Sequence, residues 1–198
     1  RTDTTSGTYS TSINLQSFDS DGFTVGTQDG LNQSGNNITS YNWLLGGSQG
    51  SPNTDGSINT LYTSVNTTSG VSISTWNGTG SNGTIGHGLN KIPKMLLIKR
   101  TDGTQAWMVY HVGTGNNSEG QIASGAFSSS SSAWQDTDPT NQVFYVSGSA
   151  GDSVNASGYA YVGYAFAEVT GFSSISSWIG NSNVDGPMIF TGFKPSFI

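Results

Sequence analysis

The sequence predicts an all-β protein built from tandem antiparallel β-sandwich repeats of the jelly-roll type. Ser, Thr, Asn and Gly supply about half of the 198 residues, and these residue types are weak helix formers. Short β-rich runs alternate with clusters of Gly, Asn, Asp and Pro, which is the pattern of antiparallel sandwiches. Aromatic residues make up 11% of the chain, so it can form a hydrophobic core and does not have the composition of a disordered protein.

Ten segments are predicted as strands. The clearest is 159–169, in which Tyr161, Gly163 and Ala165 alternate with a second row that is also largely apolar or aromatic. A strand with two apolar rows is expected in the interior of a sheet, covered on both faces. The predicted strands are 22–26, 38–45, 71–76, 84–89, 94–99, 107–112, 142–147, 159–169, 172–178 and 187–193.

The chain contains an internal repeat. The segment 31–35 recurs as 154–158, and the segment 70–78 recurs as 171–180 with one extra residue. In that second match Trp76 falls on Trp178. The chain is therefore interpreted as two copies, 1–99 and 100–198, with the length differences absorbed in loops.

The phase of this repeat predicts domain boundaries at Gly70 and Gly171, each of which opens the same strand. The units are then 1–69, which is incomplete by itself, 70–170, and the strands of 171–198. Two alternatives follow for the last part. The chain, which starts at Arg1 with no leader, is an excerpt of a longer tandem array, or 171–198 completes the first unit in the same molecule or in a neighbour.

The charge of the chain and its short apolar runs argue against two classes of partner, nucleic acid and the membrane interior. Six basic residues stand against twelve acidic ones, for a net charge of −6, and the basic residues are scattered. Nucleic-acid binding needs clustered cations, so it is not expected. No apolar run of about 18 residues occurs, so membrane insertion is not expected either. The absence of cysteine excludes disulfides and thiolate metal sites.

Several motifs occur in a characteristic order. They are 18–26, then 32–35 before 41–43, then 84–89 before 93–100, then 159–169 before 171–173, and finally 185–187 before 192–195. Together they resemble a tandem-repeat β-domain family of unknown function found in structural and tail-fibre-like proteins of tailed bacteriophages. The resemblance covers nearly the whole chain and implies a virion or surface protein, with no known chemistry.

Residues for catalysis are scarce. Glu119 and Glu168 are the only glutamates, and most aspartates precede Gly or lie beside Ser or Thr, as in turns. His87 is flanked by glycines and is replaced by Thr191 in the second copy, whereas His111 ends an apolar run. No Gly-x-Ser-x-Gly motif is present. We therefore expect no enzymatic activity.

Two pairs of aspartates are weak candidates for a calcium site. Asp19 with Asp21, and Asp136 with Asp138, each place hard oxygen ligands two residues apart. Neither pair completes a known calcium loop, and the same residues can accept backbone N–H bonds in turns. Turns are the preferred interpretation, and no other cofactor is expected.

Trp134 is the best candidate for an exposed ligand contact, because it lies in a loop beside the serine run 128–132 and Asp136. Sugar sites combine an aromatic plane with a few polar groups. Trp76 and Trp178 are less suited, since equivalent repeat positions favour structural packing.

The expected function is that of a structural protein of a bacteriophage virion, in a fibre, tail or capsid exterior. Its partners would be copies of itself and other virion proteins, because repeats bury interfaces with their neighbours. The alternatives are a module that binds host-surface glycan and a surface filament subunit that uses strand complementation. In each case the location is the virion or an extracellular surface.

Overall fold

Backbone hydrogen bonding defines eleven β-strands and one helical turn in the computed structural model of the chain. The structure describes residues 14–40, 42, 45–46, 50–122, 127–129, 132–151 and 153–196. The elements of these residues are β1 (Leu15–Phe18), β2 (Phe23–Val25), α1 (Asp29–Asn32), β3 (Tyr62–Asn66), β4 (Val71–Asn77), β5 (Gly83–Gly86), β6 (Met95–Arg100), β7 (Met108–His111), β8 (Ser118–Gln121), β9 (Phe127–Ser129), β10 (Val143–Val146) and β11 (Ala160–Phe166).

Seven of the strands form one antiparallel sheet in the order β3-β4-β11-β6-β7-β8-β9. Strand β11 lies inside this sheet and is paired along its length, with Tyr161 opposite Trp76 of β4 on one side and Arg100 of β6 on the other. The sequence therefore predicted correctly that the protein is nearly all β and antiparallel, and that this strand is an interior one.

A second, two-stranded antiparallel sheet of β5 and β10 shares a hydrophobic core with the large sheet. Trp76 is fully buried at this contact. Its indole stacks on Tyr161, with 5.6 Å between ring centroids, and meets the ring of Phe144 edge-on at 5.9 Å. Aromatic pairs at such distances stabilise a core beyond the area that they bury.

The two rows of β11 differ in burial. Tyr161, Gly163 and Ala165 are buried and face the core, whereas Val162 and Tyr164 of the other row are half-buried. Gly163 has a steric role, because a Cβ atom at this position would lie 2.9 Å from the Trp76 ring. The predicted alternation is confirmed, but only one face of the strand is fully covered.

The predicted boundary between residues 69 and 70 falls inside a β-hairpin. Strand β3 precedes it and β4 follows it, and the two pair antiparallel within the large sheet. Gly70 closes this hairpin with φ of +72°, and its carbonyl accepts a hydrogen bond from the Ala167 amide at 2.7 Å. One sheet thus contains strands from both predicted units.

Two predicted strands are wrong. The segments 172–178 and 187–193 contain no strand in the structure, because no described segment of the chain supplies them with a ladder of hydrogen bonds beyond the isolated bridge of Ser173 to Val169. The strand predicted at 38–45 is absent from residues 38–40, 42 and 45, while 41, 43 and 44 lie outside the described residues. Strands β1, β3, β8 and β9 were not predicted, since they are short and mostly polar.

We expect Trp76→Ala to lower the free energy of unfolding by about 3–5 kcal/mol, because it leaves a large cavity between Tyr161 and Phe144. Chemical denaturation followed by far-UV circular dichroism measures this change. The control is Ile92→Ala at an exposed position, where the change should stay within about 0.5 kcal/mol. Equal effects of the two substitutions would contradict the described core.

Candidate functional site

Asp19 and Asp21 lie in the connection between β1 and β2. The Asp19 carboxylate accepts hydrogen bonds from Ser17 Oγ and Thr24 Oγ1, both at 2.8 Å, and its amide donates to the Gly22 carbonyl. The hydrogen bonds from Thr24 and Ser17 lower the pKa of Asp19. The carboxylate therefore closes the turn, which is the role that turn chemistry favours.

Asp136 lies at the end of the turn 133–136, with φ of +49°, and Asp138 follows this turn. Asp138 accepts hydrogen bonds from Tyr110 Oη at 3.1 Å and from Asn116 Nδ2 at 3.0 Å. Burial, together with the Asp138 carboxylate, raises the pKa of Tyr110. In the part of the chain that the structure describes, no three His, Asp or Glu side chains cluster in a way that could hold a metal ion. Calcium stays the weaker interpretation of these positions, and turns stay the preferred one.

Trp134 is buried, so its predicted exposure is wrong. Only 1% of its surface is accessible, its ring meets Tyr110 edge-on, and its Nε1–H donates to the Ser118 carbonyl at 2.9 Å. Of the polar neighbours that suggested an exposed loop, Ser128 and Ser129 lie in β9, and Asp136 lies in the turn 133–136 that also contains Trp134. Trp134 is a packing residue in this structure and offers no face to a ligand.

His87 joins the end of β5 to the loop before β10. Its Nδ1 accepts the Leu89 amide and its Nε2–H donates to the Thr140 carbonyl, both at 3.2 Å. These two bonds require the neutral imidazole with the proton on Nε2. Burial lowers the pKa of His87, more strongly than the Thr140 carbonyl and Asp55 raise it. The geometry is that of a structural histidine.

The C-terminal segment, residues 171–196, exposes the most apolar surface. Trp178 is 58% exposed and Phe190 is 81% exposed, although neither lies in a strand. The segment carries one acidic residue, Asp185, and one basic residue, Lys194. Its other exposed apolar side chains are Phe172, Ile179, Val184, Met188 and Ile189. Exposed apolar patches of this kind mark interaction surfaces.

The beginning of the C-terminal segment is attached to the end of the large sheet. Glu168 forms an ion pair with Lys94, and its other carboxylate oxygen accepts the Ile175 amide at 2.7 Å. Burial opposes ionisation of Glu168, but the hydrogen bonds from Lys94 and from the Ile175 amide lower its pKa overall. Ser173 Oγ also accepts the Val169 amide. These contacts hold the start of the segment in place.

The N-terminal segment, residues 14–40, is exposed in a similar way. Phe18, Phe23 and Ile38 present large apolar side chains to solvent, although β1 and β2 pair with each other. The predicted repeat was the signal in the sequence that relates both segments to residues 70–170, here called the central unit, because it aligns them with buried strands of that unit. That alignment predicted strands at 172–178 and 187–193, and did not predict that these residues stay exposed.

Comparison with known proteins identifies a family. The sequence matches the family described as Domain of unknown function (DUF7483) over residues 1–198. The chain belongs to this family. One DUF7483 domain thus spans both predicted copies. No curated protein and no solved structure matches the chain. Among the described residues of this DUF7483 domain, no helix has the length and apolar character needed to cross a membrane.

The histidine geometry predicts a pH dependence of stability. The pKa of His87 is lower in the folded chain than its ordinary value of 6.5, so below that pH the unfolded chain binds more protons. Stability should therefore fall as the pH drops from about 7.5 to about 5.5. His87→Gln removes the titrating group, so the variant should lose less stability over this range.

Urea denaturation at a series of pH values measures the difference. His111→Gln is the matched comparison, because the pKa of His111 is also lowered by burial but this side chain is only half-buried. An unchanged pH dependence in His87→Gln would contradict the assignment of a neutral, buried His87.

Proposed function

We propose that this DUF7483 chain is a non-enzymatic structural protein that assembles with copies of itself through its β-strands. The observation that carries the proposal is the exposed apolar surface of the C-terminal segment beside a completed core. Three aromatic residues of this segment, Phe172, Trp178 and Phe190, are more than half exposed. Each aromatic side chain buries about 150–250 Å² when covered, so together they supply much of the roughly 800 Å² that each partner buries in a stable interface.

The virion location rests on the resemblance of the ordered motifs to bacteriophage structural proteins. A fibre, a tail or a capsid exterior needs a rigid module that contacts its neighbours, and other virion proteins would then be further partners. A seven-stranded sheet with a buried aromatic core meets the need for rigidity. The low content of charged residues, 9% of the chain, is compatible with close packing of copies.

The unpaired C-terminal segment also favours the second candidate, a surface filament subunit that uses strand complementation. Both candidates require self-assembly, and they differ in where the assembly occurs. The third candidate, a receptor module for host-surface glycan, has lost its main support because Trp134 is buried. Calcium has no part in the proposed assembly.

Size-exclusion chromatography with light scattering over a range of protein concentrations tests the proposal. We expect the mass to rise above the monomer value of 20.6 kDa as the concentration increases. Trp178→Ser should reduce this association, whereas Ile92→Ser, at a position of equal exposure outside the segment, should leave it unchanged. A monomer at every concentration would refute self-assembly.

A further inference from the structure

We propose that the C-terminal segment of one chain pairs as β-strands with the N-terminal segment of a second copy, and that the two rebuild the arrangement seen in the central unit. The C-terminal segment takes the places of β4 and β5, and the N-terminal segment takes those of β11 and β10. The proposal rests on the proposed function, because it specifies which residues carry the self-assembly.

The backbone of the C-terminal segment already has the turns of the β4–β5 region. Gly70 and its repeat counterpart Gly171 have φ of +72° and +76°. Further along, Gly80 and Ser182 have φ of +73° and +54°. A serine rarely adopts this left-handed conformation, so the match at Ser182 is informative. The segment thus carries the turn that follows β4, without the strands on either side of it.

The other matched glycines agree. Gly88 and Gly192 have φ of +67° and +80°. In the N-terminal segment, Gly35 has φ of +82°, and its counterpart Gly158, just before β11, has φ of +84°. Four pairs of residues aligned by the sequence repeat therefore share the same unusual backbone region. The two terminal segments therefore match the central unit at these four backbone positions.

Side chains that are buried in the central unit have exposed counterparts in the two segments. Trp76, Tyr161 and Phe144 contact one another and are at most 1% exposed. The repeat aligns Trp76 with Trp178 and Tyr161 with Ile38. Strand β2 precedes the N-terminal match as β10 precedes β11, and matching these two strands, with a loop after β2 that is two residues shorter, places Phe23 on Phe144.

These three counterparts are apolar and solvent-exposed. Trp178 is 58% exposed, Ile38 is 51% exposed and Phe23 is 41% exposed. Bringing them together would cover the indole on two sides, as Tyr161 and Phe144 cover that of Trp76. The C-terminal segment supplies the indole and the N-terminal segment supplies the two side chains that would cover it, so each segment needs the other to bury its apolar residues.

The known register of the central unit specifies the new pairing. In β4 and β11, Trp76 lies opposite Tyr161 and Thr75 lies opposite Val162. The repeat transfers these pairs to Trp178 opposite Ile38 and Ser177 opposite Thr39. In β5 and β10, Ile85 lies opposite Phe144, which transfers to Ile189 opposite Phe23.

A buried asparagine supports the same transfer. Asn155 is fully buried, its side-chain oxygen accepts the Thr79 amide, its Nδ2 donates to the Ser81 carbonyl, and its own carbonyl accepts the Gly80 amide. It thereby holds the turn after β4. Its repeat counterpart Asn32 is exposed at the end of α1, where its Nδ2 donates to the Gly26 carbonyl at 3.1 Å. In the proposed pairing, this side chain exchanges the Gly26 carbonyl for the loop 181–183, which corresponds to 79–81.

The occupant is a second copy for two reasons. Within one chain, no strand pairing joins described residues of the two segments. The chain order is N-terminal segment, central unit, C-terminal segment, so a head-to-tail contact between copies rebuilds the same unit at every junction. Such a heterologous contact repeats along a row of molecules. The C-terminal segment has no net charge, so it is not repelled by the acidic N-terminal segment.

Disulfide trapping tests the pairing, because the natural chain has no cysteine. Thr39→Cys and Ser177→Cys are purified separately, mixed and oxidised. Their counterparts, Val162 and Thr75, lie between the pairs that exchange backbone hydrogen bonds, where opposite Cβ atoms approach closest. We expect a disulfide-linked dimer on a non-reducing gel. Thr39→Cys mixed with Ser176→Cys is the control, because a slip of one residue turns the side chain to the other face.

The outcomes separate this proposal from the proposed function. A linked dimer from the first mixture and none from the control supports the pairing. Absence of the linked dimer in protein that light scattering shows to associate overturns the pairing and leaves self-assembly standing. Protein that stays monomeric refutes both. A disulfide within single chains of the Thr39→Cys, Ser177→Cys double variant, with no dimer from the mixed single variants, overturns the second copy as occupant.

Discussion

The structure depends on the hydrogen bonding of β11 to two partners that are distant in the sequence. Phe166 pairs with Val71 on one side and with Met95 on the other, so the strand exists only once β4 and β6 have both been brought to it. Burial of Trp76 between Tyr161 and Phe144 then stabilises the packing of β4 against the sheet of β5 and β10. A strand of similar sequence without such partners has unpaired backbone groups and remains extended and exposed. This requirement distinguishes 70–78 from 171–180, which are alike in sequence and differ in structure.

The same requirement explains how much of the fold was predictable. Alternation in 159–169 identified β11, because an interior strand must be apolar on the row that faces the core. The predicted bounds of β4, β6 and β10 agree with the structure to within one residue, whereas β5 ends at Gly86, three residues before its predicted end. Local sequence could not identify β8 and β9, since Ser118–Gln121 and Phe127–Ser129 are short and polar, and become strands only by adding to the edge at β7. Local sequence also predicted strands at 172–178 and 187–193, where the residue pattern is typical of a strand but no described segment pairs with it.

The candidate site was less predictable than the fold. Polar neighbours suggested that Trp134 is exposed, but burial is decided by how a loop folds back, and here the indole packs on Tyr110. Asp19 was favoured as a turn residue that accepts backbone N–H bonds, and in the structure its carboxylate instead accepts the hydroxyl groups of Ser17 and Thr24. The match between Trp76 and Trp178 indicated packing, yet sequence alone could not show that only Trp76 is covered. The exposed apolar surface of the terminal segments emerged only from the three-dimensional arrangement.

The central claim is that these terminal segments are halves of a β-unit that copies of the chain complete for one another. Hydrogen–deuterium exchange at low and high protein concentration measures this directly, because amides that become hydrogen-bonded on association gain protection. The account predicts that protection in 176–179 and 188–190 appears together with protection in 37–40 as the concentration rises, while β11 is protected throughout. Fast exchange of the terminal segments at every concentration, beside a protected β11, would contradict it.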